Sequence, residues 1–468
     1  MEQFASKRFD ACQELSIKAT LEQRAGGEAG EPGCSGSFSL SLSLSLQPKL
    51  RIGGLLLLLL APSLTFLAEG QTEKRGLTNG PSGSPTSPLD LDKNKQDQDD
   101  DDKDKKALSL DDYLGDEACR PCHQEIADGY RATAHHLTSR LPSAASIAGK
   151  FTPGSNMLRT SNPYLTFTMS ATKEGFFESA VEELAPSKTI SHTERIDIVI
   201  GSGRKGQTYL FWKGDRLFEL PVTYWTELDG WINSPGFPDG SPRFDKPIVP
   251  RCLECHGTSF RWLPPPLNRF SKTSLVLGIS CEKCHGPGRQ HVDRYRSKSP
   301  PATEDSKAII NPAVLLRDRQ LDLCTLCHAG TAEAVGSPLS FVPGNDIAQY
   351  LYIPTPGPNV PVDVHGNQVQ LLKRSRCFQA SSMTCSTCHD VHRPQRDAAG
   401  FSEHCLSCHQ PRQCGRYPTL GEQITHNCVD CHMPLEESET LVSDSNGREI
   451  KPRVRNHRIA VYPDSQPH

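Results

Sequence analysis

Seven copies of one pattern govern what this 468-residue chain can fold into. Cys-x-x-Cys-His occurs as Cys119/Cys122/His123, Cys252/Cys255/His256, Cys281/Cys284/His285, Cys324/Cys327/His328, Cys385/Cys388/His389, Cys405/Cys408/His409 and Cys428/Cys431/His432. Every Cys-x-x-Cys in the chain is followed by His. With 17 His in 468 residues, chance would place all seven with odds on the order of 10⁻¹⁰, so the His belongs to the motif. Successive first cysteines are 133, 29, 43, 61, 20 and 23 residues apart. That spacing is too irregular for a solenoid.

Three chemistries compete for such a pattern. Zinc needs two cysteine pairs, or one pair with distant histidines, per tetrahedral site. Disulfides need no histidine. Covalent haem c needs the pattern as it stands: two cysteines on one helical turn form thioethers to the porphyrin vinyls, and the next residue turns its imidazole to the iron. The invariant adjacency favours seven covalent haems. Their thioether residues are the fourteen motif cysteines, and their proximal ligands are His123, His256, His285, His328, His389, His409 and His432.

Composition agrees with that reading. The apolar fraction is 36%, below the roughly 45–50% of ordinary globular chains. A macrocycle per roughly fifty ordered residues makes good the missing apolar surface. Apo-chain is expected not to fold, because ligation and folding are coupled. The gaps of 20, 23 and 29 residues bring neighbouring irons close, which suits electron transfer between haems. A net charge of −4 and the absence of a basic stripe argue against nucleic acid as a partner.

The N-terminal part reads as targeting. "KLRIGGLLLLLLAPSLTFLAEGQ" has Lys49 and Arg51 as a basic flank, an apolar run over 52–67 and a small-x-small signature at Ala68-Glu69-Gly70, so residues 1–70 are expected to be a leader with a signal peptide. The 16-residue run falls short of the roughly 20 that a spanning helix needs. An uncleaved leader would instead anchor the chain. The expected location is therefore periplasmic or the outer cell surface, with peripheral membrane association as a further option. Residues 71–112 read as an acidic, disordered linker, with eight Asp and five Lys in "DLDKNKQDQDDDDKDKK". Residues 113–468 form the haem domain. The first long gap differs in texture: alternating stretches and turns such as Lys213-Gly214-Asp215 predict β-hairpins over about 155–235. The expected fold is mainly α and irregular, a multihaem cytochrome c fold organised around seven covalent haems with a small β-rich insertion.

Several segments carry a resemblance: "ACRPCHQEIADGYRATAHH", "GISCEKCHGPGRQHV", "NPAVLLRDRQLDLCTLCH", "MTCSTCHDVH" and "HNCVDCHMP". They resemble multihaem cytochromes c of the cytochrome c-554 type, which are structurally akin to multihaem nitrite reductases and hydroxylamine oxidoreductases. The resemblance implies that the His of a Tyr/Trp-x-x-Ser/Thr-x-His pattern caps another haem. Tyr130-x-x-Thr133-x-His135 fits it, which selects His135 over His136. By the same resemblance His291, His365, His392, His426 and His457 are distal ligands. The seventh iron is left with His136, His192 or His404, with Met157, Met169 or Met383, or with no protein ligand. Met433 adjoins its own proximal His432, and His404 directly precedes Cys405, so neither reaches the far face of its own haem. Cys377 and Cys414 lie outside the motifs, as a disulfide or as two thiols.

Three functions are compatible with these residues. The first is electron transfer through mostly bis-His haems, with redox proteins as partners (a quinol oxidase, other cytochromes or a reductase). The second is an oxidoreductase with one open haem acting on a small nitrogen or sulfur compound. Against it, no Cys-x-x-Cys-Lys is present, so the lysine-ligated haem of the nitrite-reductase kin is missing. The third is a docking or assembly subunit that uses the β-rich insertion.

Overall fold

The computed structural model describes residues 110–186, 188–297, 308–330, 332–357 and 359–462. The apolar run 52–67 and most of the acidic linker lie outside the described residues, as does His468. No helix among the described residues is long and apolar enough to cross a membrane.

The β-rich part is larger than the sequence predicts. It opens with β1 (Ser139–Arg140) and continues through β2 (Met157–Arg159), β3 (Leu165–Thr172), β4 (Gly175–Ala185), β5 (Lys188–Arg195), β6 (Ile198–Ile200), β7 (Gly206–Lys213), β8 (Arg216–Glu219), β9 (Val222–Trp225) and β10 (Gly230–Asn233). It closes with β11 (Lys246–Pro247). Strands β2-β3-β4-β5 form an antiparallel sheet. A second sheet runs β1-β6-β7-β8-β11, with β9 bridging β7 and β10. Strand alternation explains the core. Leu165, Phe167 and Met169 point inward from β3 and meet Tyr209 and Phe211 of β7, all essentially inaccessible to water. Truncating a buried Phe of this kind costs about 3–5 kcal/mol. The turn at Lys213-Gly214-Asp215 is as predicted: Lys213 pairs with Arg216 across it, and Gly214 sits at φ +64°, where a side chain would be strained.

One residue breaks the apolar pattern. Glu178 of β4 is fully buried, and both of its carboxylate oxygens are without a hydrogen-bond partner. Burial pushes its carboxyl well above the usual range. Neighbouring Glu219 is also pushed up by burial, although Lys246 pairs with it at 2.7 Å.

Beyond β11 the chain consists of short helices, turns and two-stranded ribbons. The expectation of a mainly α fold is corrected in this respect: the longest helix among the described residues has 12 residues, and sheet makes up a substantial share. The elements are short because the motifs recur every few tens of residues and each interrupts the local pattern. A C-terminal hairpin, Ser443–Ser445 with Arg448–Ile450, docks on the β-rich part. There Asn233 Nδ2 donates to Asp444 O at 2.6 Å and Asn446 Nδ2 to Arg159 O at 2.8 Å.

Candidate haem-binding sites

Each motif folds as one helical turn. The amide of His123 donates to Cys119 O at 3.0 Å, that of His389 to Cys385 O at 2.9 Å and that of His409 to Cys405 O at 2.9 Å. This i→i−4 bond brings the two cysteines and the histidine to one side of the backbone. The motif-bearing helices are α1 (Asp116–Cys119), which precedes α2 (Gln124–Tyr130), then α3 (Pro250–His256), α4 (Cys281–His285), α5 (Arg289–Arg296), α6 (Arg317–His328), α7 (Ala398–Leu406) and α8 (Cys428–His432). Of these, α2 and α5 lie just after a motif. The starts of the turns are fixed locally: Pro250 opens α3, the Ser280 hydroxyl accepts from Glu282 N, and the Asn427 side chain accepts from Asp430 N.

The imidazoles are oriented through Nδ1. His285 Nδ1 is 2.8 Å from Ile310 O, His432 Nδ1 is 2.8 Å from Ala460 O and His457 Nδ1 is 3.0 Å from Arg455 O. A carbonyl can only accept, so Nδ1 carries the proton and Nε2 is left as the free donor to a metal. His328 Nδ1 meets Gln368 Oε1 at 3.1 Å, and His256 Nδ1 meets Thr138 Oγ1 at 3.0 Å. Burial holds His135 and His457 down to about 4 and lowers His256 and His328 as well. Each is therefore the neutral imidazole that a metal requires.

Four proximal imidazoles face a second imidazole from a distant part of the chain. Ring centroids are 6.4 Å apart for His123 and His291, 6.1 Å for His285 and His392, 6.1 Å for His328 and His135, and 6.3 Å for His389 and His457. Two iron–nitrogen bonds of about 2.0 Å, with each ring centroid about 1.1 Å behind its nitrogen, give about 6.2 Å. The chain's own geometry thus fits bis-His iron at four motifs. His365 lies beside His256, with Asp363 Oδ1 accepting from its backbone amide at 2.7 Å.

Other histidines separate from this set. His426 ends a turn over Gly421–His426, and no ring pair among the described residues joins it to a proximal imidazole. His404 lies near His389. His136 pairs with Asp116 at 2.9 Å and stands edge-on to Tyr130. His192 belongs to β5, pairs with Glu194 at 3.0 Å and rests on Phe244, which removes it as a distal ligand. Met169 is sealed in the β core and is likewise removed.

Thiols of different motifs also meet. Cys119 hydrogen-bonds with Cys281, Cys255 with Cys327, Cys324 with Cys385, and Cys405 with Cys428. The bond from its partner pulls Cys255 down to about 7 and Cys428 down to about 6. Cys377 and Cys414 are free thiols: Cys377 sits near Cys388 and Cys405, whereas Cys414 sits near Cys431.

Sequence reasoning missed the polar residues that hold the motifs together. Glu282, buried inside the third motif, accepts from the amides of Leu114, Gly115 and Gly288, each at 2.8 Å. Asp116 accepts from Cys281 N at 2.8 Å. Arg317 donates to Phe378 O at 2.8 Å and Met383 O at 3.0 Å. A Glu between two motif cysteines was the available signal, since a charge at that position needs a partner.

Comparison with known proteins follows this geometry. Residues 239–286 match the family described as cytochrome c554 and c-prime, a stretch that carries the second and third motifs. No curated protein matches the chain. Among solved structures, the chain is similar to the outer cell wall cytochrome OcwA, with a TM-score of 0.41 and 15% identity over 71% of this chain and 79% of that one. It is also similar to the undecahaem cytochrome from the S-layer of Carboxydothermus ferrireducens, with a TM-score of 0.36 and 16% identity over 76% of this chain and 53% of that one. The matched segment and the same five-residue pattern at five further positions identify the chain as a multihaem c-type cytochrome.

Proposed function

We propose that this chain is an exported heptahaem electron-transfer protein whose haems are mostly held by two imidazoles. The observation that carries the reading is the set of four imidazole pairs at 6.1–6.4 Å. Haem c supplies a one-electron iron couple whose potential follows its axial ligands and surroundings. The chain's own residues do the rest. The fourteen motif cysteines attach, the seven motif histidines ligate, and His291, His392, His135, His457 and His365 close the far faces of the first, third, fourth, fifth and second sites. Ile310 O, Ala460 O and Gln368 fix the orientation of proximal rings. With both faces occupied by rigidly held side chains, gain or loss of an electron requires little rearrangement. His426 and His404 are the nearest histidines to the last two motifs and the candidates for their irons. Partners are other one-electron redox proteins, and export rests on the leader with its apolar run 52–67.

Pyridine haemochrome assay of the mature protein is expected to give seven haems per chain, and a count well below seven overturns the proposal. Electron paramagnetic resonance (EPR) on the oxidised protein separates carrier from enzyme. Low-spin signals alone support the carrier. A stoichiometric high-spin ferric signal that shifts with nitrite or cyanide supports an oxidoreductase with one open haem.

A further inference from the structure

The cysteine contacts carry more than attachment, because they order the motifs in space. The first motif meets the third through Cys119 and Cys281, and Asp116 and Glu282 tie the same two turns together. The second motif meets the fourth through Cys255 and Cys327. Their helices interlock reciprocally: Cys255 Sγ lies 4.0 Å from Leu326 O, Cys327 Sγ lies 3.9 Å from Glu254 O, and Arg251 donates to Leu326 O at 2.6 Å. The fourth meets the fifth through Cys324 and Cys385, with Arg317 bound to the strand of chain just before Cys385. Cys324 also lies beside Cys284 of the third motif. The fifth leads to the sixth through Cys388 and Cys405, and the sixth to the seventh through Cys405 and Cys428.

We infer that the seven sites form a branched wire and not a line, with the Cys324/Cys327/His328 site as the junction of three arms. One arm holds the third and first sites, one the second site alone, and one the fifth, sixth and seventh. This rests on the heptahaem reading above. A sulfur in a thioether is two bonds from the macrocycle edge, so contact between sulfurs of two motifs places two macrocycle edges close together. The fourth motif has such neighbours in three others, and no other motif has more than two.

Exposure follows the same plan independently. Among the sixteen described cysteines, only Cys122, Cys252 and Cys408 are exposed. They belong to the first, second and sixth motifs, one on each arm, whereas both cysteines of the fourth motif are enclosed. The functional consequence is three ports. An electron taken from a one-electron donor at one arm can leave to a one-electron acceptor at either of two others, and no further reactant is consumed. A linear wire would offer two ports only.

The test uses the mature holoprotein and the double variant Cys252→Ala/Cys255→Ala, which removes the attachment of the second site. With both variants fully loaded elsewhere, the low-spin signals of the remaining six haems are compared with those of the unaltered protein. The branch predicts that one other haem, the one ligated by His328, changes its signal through lost magnetic coupling. A change at two other haems, or at none, overturns it. Should that variant fail to mature, His135→Met supplies a second reading. A Met axial ligand raises the potential of the His328 haem, so the first electron added reduces it and silences its spin. Three neighbouring signals are then expected to change together, and two or fewer overturn the branch. Both outcomes are independent of the haem count, so a count below seven in the unaltered protein would defeat the parent reading and not this one.

Discussion

His285 and His392 face each other with ring centroids 6.1 Å apart and ring planes 21° apart. The first follows Cys284 in a helical turn, and the second follows the fifth motif by two residues. The segment after one haem attachment therefore closes a different haem, and the fold is tied together through its ligands. Replacing His392 by Ala is expected to leave seven haems attached, because attachment depends on Cys281 and Cys284. One low-spin EPR signal should convert to high-spin. An unchanged low-spin spectrum would remove His392 as the ligand opposite His285.

Glu282 binds three backbone amides that belong to two segments, residues 114–115 and 288. Removing a buried acceptor leaves its donors unpaired at about 1–3 kcal/mol each in the worst case. Glu282→Ala is expected to lower stability by about 2–4 kcal/mol, measured as a shift of the denaturant midpoint in the holoprotein. The haem count should stay at seven, since Glu282 touches no attachment atom.

Glu178 gives the β-rich part a pH dependence of its own. Its folded carboxyl is held well above its unfolded value by burial, so the folded state binds the extra proton. That stability is fully present below the unfolded value, and it falls as pH rises, by about 1.4 kcal/mol per pH unit, until the folded value is passed. Glu178→Gln removes the titration. Thermal unfolding from pH 5 to 8 should show a decline in the unaltered protein that is absent or smaller in the variant. Parallel pH profiles would show that Glu178 is not the group responsible.

Cys377 and Cys414 stand beside different motifs. Titration of the mature, denatured holoprotein with a thiol reagent is expected to find both reactive, the fourteen motif cysteines being consumed as thioethers. Cys377→Ser should leave the haem count and the oxidised spectrum unchanged. Finding no free thiol would mean that the two pair after all.

The attachment residues were legible because the covalent chemistry demands five contiguous positions, and contiguity survives any fold. The hairpin turn at Gly214 was legible for the same local reason. The extent of the β-rich part was not. Its outer strands, Ser139–Arg140 and Lys246–Pro247, are two residues long and exist only because β6 and β8 are there to pair with them. Ligand pairing was half legible. His135, His291, His392 and His457 were picked out by resemblance, but that His135 meets His328 and His457 meets His389 is a matter of tertiary contact. His192 shows the limit in the other direction: as a histidine in a multihaem chain it was a candidate, yet strand pairing of Ala180 with His192 carries it away from every motif.

The pairing of His389 with His457 has a consequence for how such a chain is made. Residues 453–457 are among the last to be synthesised and exported, yet they close a site whose attachment point precedes them by two further motifs. The fifth iron must wait, one face bare, until nearly the whole polypeptide has crossed. A message broken shortly before its end would yield a product that carries every thioether and still bears a reactive iron in its middle. Completion of the C-terminus is thereby made the act that seals the centre.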